Sequence, residues 1–402
     1  MNEEFSSLSI SLTKKLDNNE KKKNGIYFTP KSIINSMIDK ILSKKKDIKY
    51  VLEPSCGSCE ILNILDNKLN DIEIDAVELN STIFKEIKTI EYENKVNFVN
   101  INYLNFESKE KYDLIIGNPP YVVLPKKEVD KCYFDYFEGR PNIFILFIVK
   151  ALKELNDNGI LSFVLPKSFM NCQYYDKLRG YINENFKILS IEDYSTTKYI
   201  ETGQATIVFI VQKKKGINKK YLLKLRGNTI FNTGDNIVKL KKYYHGATTL
   251  KELGFIVNVG NVVWNQMKSK LTDDEEKTRL IYSSDIVNNE LSMKKYKNPE
   301  KKNFIEKDGN NDLLLVVNRG YGNGKYKFTY CLIDTEKKYL VENHLICIKS
   351  VVKDLERNKL LEKYNLIINS LKSEKTQNFV DLYFGNNAMN TKELGEVMPI
   401  YL

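Results

Sequence analysis

Residues 50–79 read YVLEPSCGSCEILNILDNKLNDIEIDAVEL. An apolar run of strand length (50–54) meets a turn of small residues, then a stretch with helical apolar spacing (60–69), then a second apolar run (74–79). Strand, helix and strand in this order form a βαβ unit, whose two strands lie parallel.

The alternation extends in both directions. Upstream, Ile33, Ile34, Met37, Ile38, Ile41 and Leu42 recur at three- and four-residue steps after Pro30, which reads as one face of a helix with proline in its first turn. Downstream, strand-like runs at 96–101, 113–118, 157–166, 188–194 and 206–215 are interleaved with helical stretches at 81–90, 142–155 and 168–185. The pattern predicts an α/β fold with a Rossmann-like, mostly parallel sheet covered on both faces. It stops at KKKGINKK (213–220). Beyond that, short strand-like runs lie among polar segments, with one helix around 352–372, so a smaller mixed α+β domain is expected. Residues 1–24 are polar and close in EKKKN, which reads as a flexible N-terminal arm. The expected division is therefore 1–24, 25–215 and 216–402.

Hydrophobic content of 42% with 28% charged residues suits a water-soluble globular chain. The longest apolar runs, such as IFILFIV (143–149), fall short of a membrane span, and no secretory leader opens the sequence. Six scattered cysteines fit reduced thiols better than a disulfide framework. Cys56 and Cys59 form a C-x-x-C, but no second such pair accompanies it and the chain has only two histidines, so no metal site is expected. Charge is unevenly spread. Residues 1–215 carry 31 Lys and Arg against 30 Asp and Glu, a net of +1, while residues 216–402 carry 31 against 22, a net of +9. A basic C-terminal half suggests a polyanion partner, although lysine-rich usage, with only six arginines, also raises the charge.

In an open parallel sheet, ligands bind beyond the carboxyl ends of the strands. The first strand ends in EPSCGSC (53–59), whose small residues let backbone N–H groups approach a ligand. The second ends in Glu78, 21 residues after Gly57, the usual place for a carboxylate that accepts both hydroxyls of a ribose. The third ends near Asn102 and Tyr103, an amide and a ring suited to the edge and face of a purine. The turn lacks G-x-G-x-x-G spacing, so a nucleoside cofactor without phosphate fits better than a dinucleotide. The fourth strand runs into NPPY (118–121). The Asn118 amide and the Pro119 backbone each offer a carbonyl acceptor, Pro119 and Pro120 stiffen them through locked φ angles, and Tyr121 adds a flat face. Two rigid acceptors and a ring can grip a planar amino group, draw its hydrogens toward tetrahedral geometry and localise its lone pair for in-line attack on an electrophilic methyl.

These residues resemble the S-adenosylmethionine-dependent N6-adenine DNA methyltransferases, of the type in which the cofactor motif precedes NPPY and a target-recognition domain comes last. GIYFTP (25–30) is similar to the family's N-terminal cofactor segment, EPSCGSC to its first motif, and NIFILFIVKAL and GILSFVLP to the segments after NPPY. The resemblance implies S-adenosyl-L-methionine as cofactor. Thr29, Pro30, Glu53, Cys56 and Gly57 would lie around its methionine end, Glu78 on the ribose, and Asn102, Tyr103 and Phe147 at the adenine, which Tyr103 and Phe147 would sandwich or line; Tyr27 and Pro54 would also bind cofactor. Asn118 would also contact cofactor. Asn118, Pro119, Pro120 and Tyr121 would form the catalytic motif, with Tyr121 and Tyr199 on the two faces of a flipped base. Arg319, which ends a strand before a glycine-rich turn (320–324), would read a base edge in duplex DNA. Two positions depart from the family: Cys59 stands where glycine is usual, with the prospect of crowding the methionine pocket, and Asn102 stands where aspartate is usual, keeping an acceptor without the charge.

The resemblance also implies an intracellular location, in a prokaryote or a virus-infected cell, and no membrane partner. The short N-terminal arm has no room for a nuclease domain, so a restriction endonuclease partner is expected on a separate chain. A glutamine-N5 protein methyltransferase, an RNA adenine methyltransferase and a catalytically silent DNA-binding subunit remain the alternatives.

Overall fold

The period-two alternation of the strand sequences sorts the N-terminal core into two layers, one on each face of a seven-stranded sheet. The computed structural model describes residues 4–108, 110–319, 329–352, 355–384 and 389–402. The chain separates into two compact units, Met1–Ile237 and Val238–Leu402.

The sheet of the first unit comprises β1 (Tyr50–Glu53), β2 (Glu73–Val77), β3 (Lys95–Val99), β4 (Tyr112–Gly117), β5 (Leu155–Pro166), β6 (Lys187–Asp193) and β7 (Thr206–Gln212). Their spatial order is β3-β2-β1-β4-β5-β7-β6. β1 to β5 run parallel, and β7 inserts antiparallel between β5 and β6. Neighbouring residues in each strand face opposite layers. Val51, Leu114, Ile116, Val164, Val208 and Ile210 enter one core; Leu52, Ile115, Phe163, Leu165, Phe209 and Val211 enter the other. The first layer is covered by α1 (Ser7–Lys15), α3 (Lys31–Leu42), α4 (Glu60–Lys68) and α5 (Ser81–Ile87), with α2 (Asn18–Asn24) following α1 in the chain. The second is covered by α6 (Ile143–Glu154), largely buried, and α7 (Asp176–Asn185).

Two expectations are corrected. The part of the expected flexible arm 1–24 that is described, residues 4–24, is instead two packed helices. Leu12 and Leu16 are buried in the α3 layer, and Ser9 bonds through its hydroxyl to Ser58 (2.6 Å) and Glu60 (2.5 Å). The helices are polar in sequence because much of their attachment is polar. The two units also divide later than 215, because a hairpin at Leu222–Leu225 and Asn228–Phe231 belongs to the first unit. Arg226 and Gly227 both take positive φ at its two-residue turn, the geometry that suits the strand twist. The buried Arg179 of α7 stitches the hairpin in place, donating to the carbonyls of Thr229, Phe169 and Cys172, while Asp176 accepts from the Thr229 N–H.

The second unit is mixed α+β. Phe255–Val259, Leu345–Ser350, Leu314–Asn318 and Tyr330–Ile333 form an antiparallel sheet in that order. Leu271–Thr272, Phe304–Ile305, Thr278–Ile281 and Tyr339–Val341 form a second sheet, and Arg357–Lys372 and Glu374–Tyr383 are helical. Among the described residues, no helix is long and apolar enough to cross a membrane.

Candidate active site

The chain runs from β1 outward to β3 on one side, then returns to lay β4 on the other, so strand order reverses between β1 and β4. Their carboxyl ends border a cavity of about 460 Å³, within the range of small-molecule sites.

On the β1 side, Gly57 holds φ +52°, and its N–H donates to Glu78 Oε2 (2.9 Å). The other oxygen of Glu78 accepts from the Asn80 N–H (2.6 Å). One carboxylate at the end of β2 thus ties two loops together. Burial raises its pKa, and the N–H groups of Asn80, Gly57 and Leu79 oppose the rise. Pro54, Ser55 and Gly57 line the cavity, and Leu79, Ile101, Phe147, Leu124 and Ile143 supply apolar wall.

Glu53 closes β1 and is only 2% exposed, and its Oε2 meets no hydrogen-bond partner among the described residues. Burial, with the negative neighbours Glu78 and Glu60, pushes its pKa well above the ordinary 4.5. Folded protein therefore holds this proton to higher pH than unfolded chain. By linkage, stability falls as pH rises from about 4.5 through the raised folded value. In cofactor-free protein, Glu53→Gln should flatten that fall in urea melts taken across pH, leaving the smaller share of Glu78. An unchanged slope contradicts the assignment.

On the β4 side, Asn118 and Pro120 line the cavity. The Asn118 amide nitrogen donates to the Tyr27 carbonyl (3.1 Å) and to Thr29 Oγ1 (3.1 Å), and its backbone carbonyl accepts from Ser55 Oγ (3.1 Å). The side-chain carbonyl oxygen therefore has a fixed direction. It accepts from the Tyr121 hydroxyl (2.9 Å), which also lies 2.9 Å from the Val164 carbonyl. Tyr121 packs edge-on to Phe144 at 6.0 Å, and burial holds its phenol protonated well above the usual range. A carboxamide oxygen has two acceptor directions, so one remains for a ligand. Gly25, at φ +66°, is required here: a Cβ on it would lie 2.9 Å from the Tyr121 nitrogen and 3.0 Å from Pro120 Cβ.

Of the residues singled out from the sequence, Tyr27, Pro54, Gly57, Glu78, Asn102, Tyr103, Asn118, Pro120 and Phe147 border the cavity; Thr29, Pro30, Glu53, Cys56, Pro119 and Tyr121 do not. Thr29 acts on Asn118 instead, and Pro30 caps α3. Tyr103 and Phe147 cannot sandwich a ring. Their centroids are 4.9 Å apart and tilted, whereas an inserted base needs about 7 Å, two van der Waals contacts. The Tyr103 hydroxyl is also turned away to Glu154 Oε2 (2.5 Å). Asn102 Oδ1 already accepts from the Leu104 N–H (3.0 Å) as a cap on the following turn. Cys59 does not crowd the pocket: it is fully buried in the core layer and is not a cavity residue. Its φ of +63° is the left-handed conformation that makes glycine the ordinary choice. Cys56 and Cys59 are both free thiols, and among the described residues no group of three or more His, Cys, Asp or Glu could hold a metal.

Tyr199 lies in a small cleft with Thr13, Ile26, Tyr27, Phe28, Ile200 and Glu201. Its hydroxyl pairs with Thr206 Oγ1 (2.9 Å), and burial pushes its pKa up to about 12. Arg319 is exposed at the end of Leu314–Asn318 in the second unit, with its carbonyl accepting from the Met389 N–H (3.0 Å); the glycine-rich turn after it lies outside the described residues. Sequence reading missed Lys23, Asn24, Gly25, Phe28, Ser55 and Asn80 as cavity residues. Gly25 and Phe28 belong to the quoted GIYFTP and Ser55 to EPSCGSC, whereas nothing in the charged run EKKKN pointed to a pocket.

The cavity lining fits S-adenosylmethionine: the Glu78 carboxylate is of the kind that accepts ribose hydroxyls, and Leu79, Ile101, Phe147 and Ile143 offer apolar walls for a ring, while Glu53 lies buried behind the lining. Residues 4–200 match the family model described as Eco57I restriction-modification methylase. Modification methylase CviBIII of Paramecium bursaria Chlorella virus NC1A is 26% identical over 383 residues, covering 92% of this chain and 96% of its own length. Type II methyltransferase M.CvrRI of Paramecium bursaria Chlorella virus XZ-6E is 27% identical over 356 residues, covering 86% of this chain and 88% of its own length. Among solved structures, the cryo-EM structure of a DrdV–DNA complex superposes with a TM-score of 0.57 at 12% identity, covering 98% of this chain and 57% of that one, a likeness of fold. Residues 4–200, just under half of the chain and all within its first unit, are thus similar to restriction-modification methylases, and most of the chain is similar to viral modification methyltransferases, a likeness that implies S-adenosylmethionine as the methyl donor.

Proposed function

We propose that this protein transfers a methyl group to N6 of adenine in a specific sequence of duplex DNA, with the target base turned out of the helix. The observation that carries the reading is the Asn118 carboxamide, whose nitrogen is held by Tyr27 and Thr29 so that its oxygen has a fixed direction, on a loop stiffened by two prolines at the cavity edge. S-adenosylmethionine supplies a methyl carbon attached to positively charged sulfur. Every other element belongs to the chain. Asn118 Oδ1 and the Pro119 carbonyl accept the two hydrogens of the exocyclic amine, drawing it from planar toward tetrahedral and localising its lone pair. The dipoles are set before the substrate arrives, so little reorganisation is needed. Tyr121 and Tyr199 are assigned to the two faces of the base, and the first unit, which contains residues 25–215, to catalysis.

The second unit is assigned to target recognition, with Arg319 as a base-reading residue. The high positive charge beyond residue 215 supports a polyanion there. The likeness to viral modification enzymes over most of the chain, and to a bacterial methyltransferase over 44% of it, supports duplex DNA as the substrate and a separate endonuclease chain as a partner. The test is labelled methyl transfer to mixed-sequence duplex DNA, single-stranded DNA, RNA and bulk protein in parallel. Duplex DNA should be the preferred acceptor, and label in RNA or protein alone overturns the reading.

A further inference from the structure

We infer that Lys21 and Glu201 form a latch through which the wall of the cofactor cavity and the loop bearing Tyr199 hold each other in place, Lys21 acting as a positioning residue. Lys21 is 4% exposed, a degree of burial that lysine adopts only when its ammonium is paired. Its Nζ donates to the Thr13 carbonyl (2.7 Å) and to Glu201 Oε1 (2.7 Å). The backbone carbonyl of the same residue accepts the N–H groups of Gly25 and Ile26, the turn that ends α2. One residue therefore fixes both the course of the chain after α2 and its attachment to residue 201.

What α2 carries makes this attachment consequential. Lys23, Asn24 and Gly25 line the cofactor cavity, and Gly25 abuts Pro120 and Tyr121 so closely that no side chain fits between them. The neighbouring Glu20 reaches the other way, accepting from Asn80 Nδ2 (2.7 Å) beside Glu78. The helix is thus pinned at consecutive residues, by Glu20 to the loop bearing the ribose carboxylate and by Lys21 to the loop bearing Tyr199. Tyr199 and Glu201 border one cleft with Tyr27, whose carbonyl orients Asn118. Breaking the latch frees a wall of the cofactor cavity although Glu201 is not among that cavity's residues.

The role of the Tyr199 loop rests on the proposed function, but the effect on cofactor does not, so calorimetric binding of S-adenosylmethionine is the primary measurement. Lys21→Met, Glu201→Gln, the double variant and Lys21→Arg are compared in the full chain. Each of the two disrupting variants should weaken cofactor binding about tenfold, with the double variant no weaker than the worse single, while Lys21→Arg stays near wild type. Methyl transfer to duplex DNA at saturating cofactor should fall in the same variants. Cofactor affinity unchanged in Glu201→Gln, or losses that multiply in the double variant, overturns the latch. Glu201 is partly exposed, so Glu201→Gln keeps the test decisive even if Lys21→Met fails to fold. Wild-type protein that methylates no DNA yet shows the predicted coupling in cofactor binding sinks the proposed function and leaves the latch standing.

Discussion

Asn118→Ala should abolish methyl transfer, by about a thousandfold or more, while leaving affinity for S-adenosylmethionine within a few-fold. The asymmetry follows from where the side chain's bonds go. The nitrogen of Asn118 is engaged by Tyr27 and Thr29, and its oxygen by Tyr121, with one acceptor direction left over. None of these bonds holds Glu78, Gly57 or the apolar walls, so truncation removes the grip proposed for the target amine without dismantling the cofactor cavity. The measurement is a pair: single-turnover transfer to duplex DNA and calorimetry with cofactor. Loss of both together contradicts the division of roles, because it makes Asn118 a structural pin of the pocket.

Glu78→Ala should produce the opposite split. Its carboxylate organises two loops at once, through the N–H groups of Gly57 and Asn80, both at the cavity. Removing it deletes the acceptor proposed for the ribose hydroxyls and leaves two inward N–H groups without their anionic partner. Cofactor binding should weaken about a hundredfold, about 2.8 kcal/mol. Methyl transfer measured at saturating cofactor should fall much less than in Asn118→Ala. Titration of the variant with cofactor, followed by transfer at each concentration, separates the two effects. Unchanged cofactor affinity contradicts the assignment of Glu78.

The parts of this site that a reader could find in the sequence are those that follow strand ends. Glu78 and NPPY close β2 and β4, and the βαβ rhythm alone brings such ends to one edge of a sheet. The parts that stayed hidden depend on pairings between distant segments. Nothing in NNEKKKN marks Lys21 as buried, because its burial depends on Glu201, 180 positions away. The polar face of α1 looks solvated until Ser58 and Glu60 are found against Ser9. Tyr103 looks like a free aromatic, yet Phe147 fills the space beside it and Glu154 claims its hydroxyl. The hairpin after residue 221 did carry a signal, an Arg226–Gly227 pair between apolar runs, but its attachment through the buried Arg179 did not.

The central claim is that rigid carbonyl acceptors at the end of β4 activate the exocyclic amine of adenine. Mass spectrometry of nucleosides from mixed-sequence duplex DNA, incubated with the protein and labelled S-adenosylmethionine, tests it most directly. The account predicts label in N6-methyladenine and its disappearance with Asn118→Ala; label on a ring carbon, or N6-methyladenine that persists at wild-type level in Asn118→Ala, contradicts it.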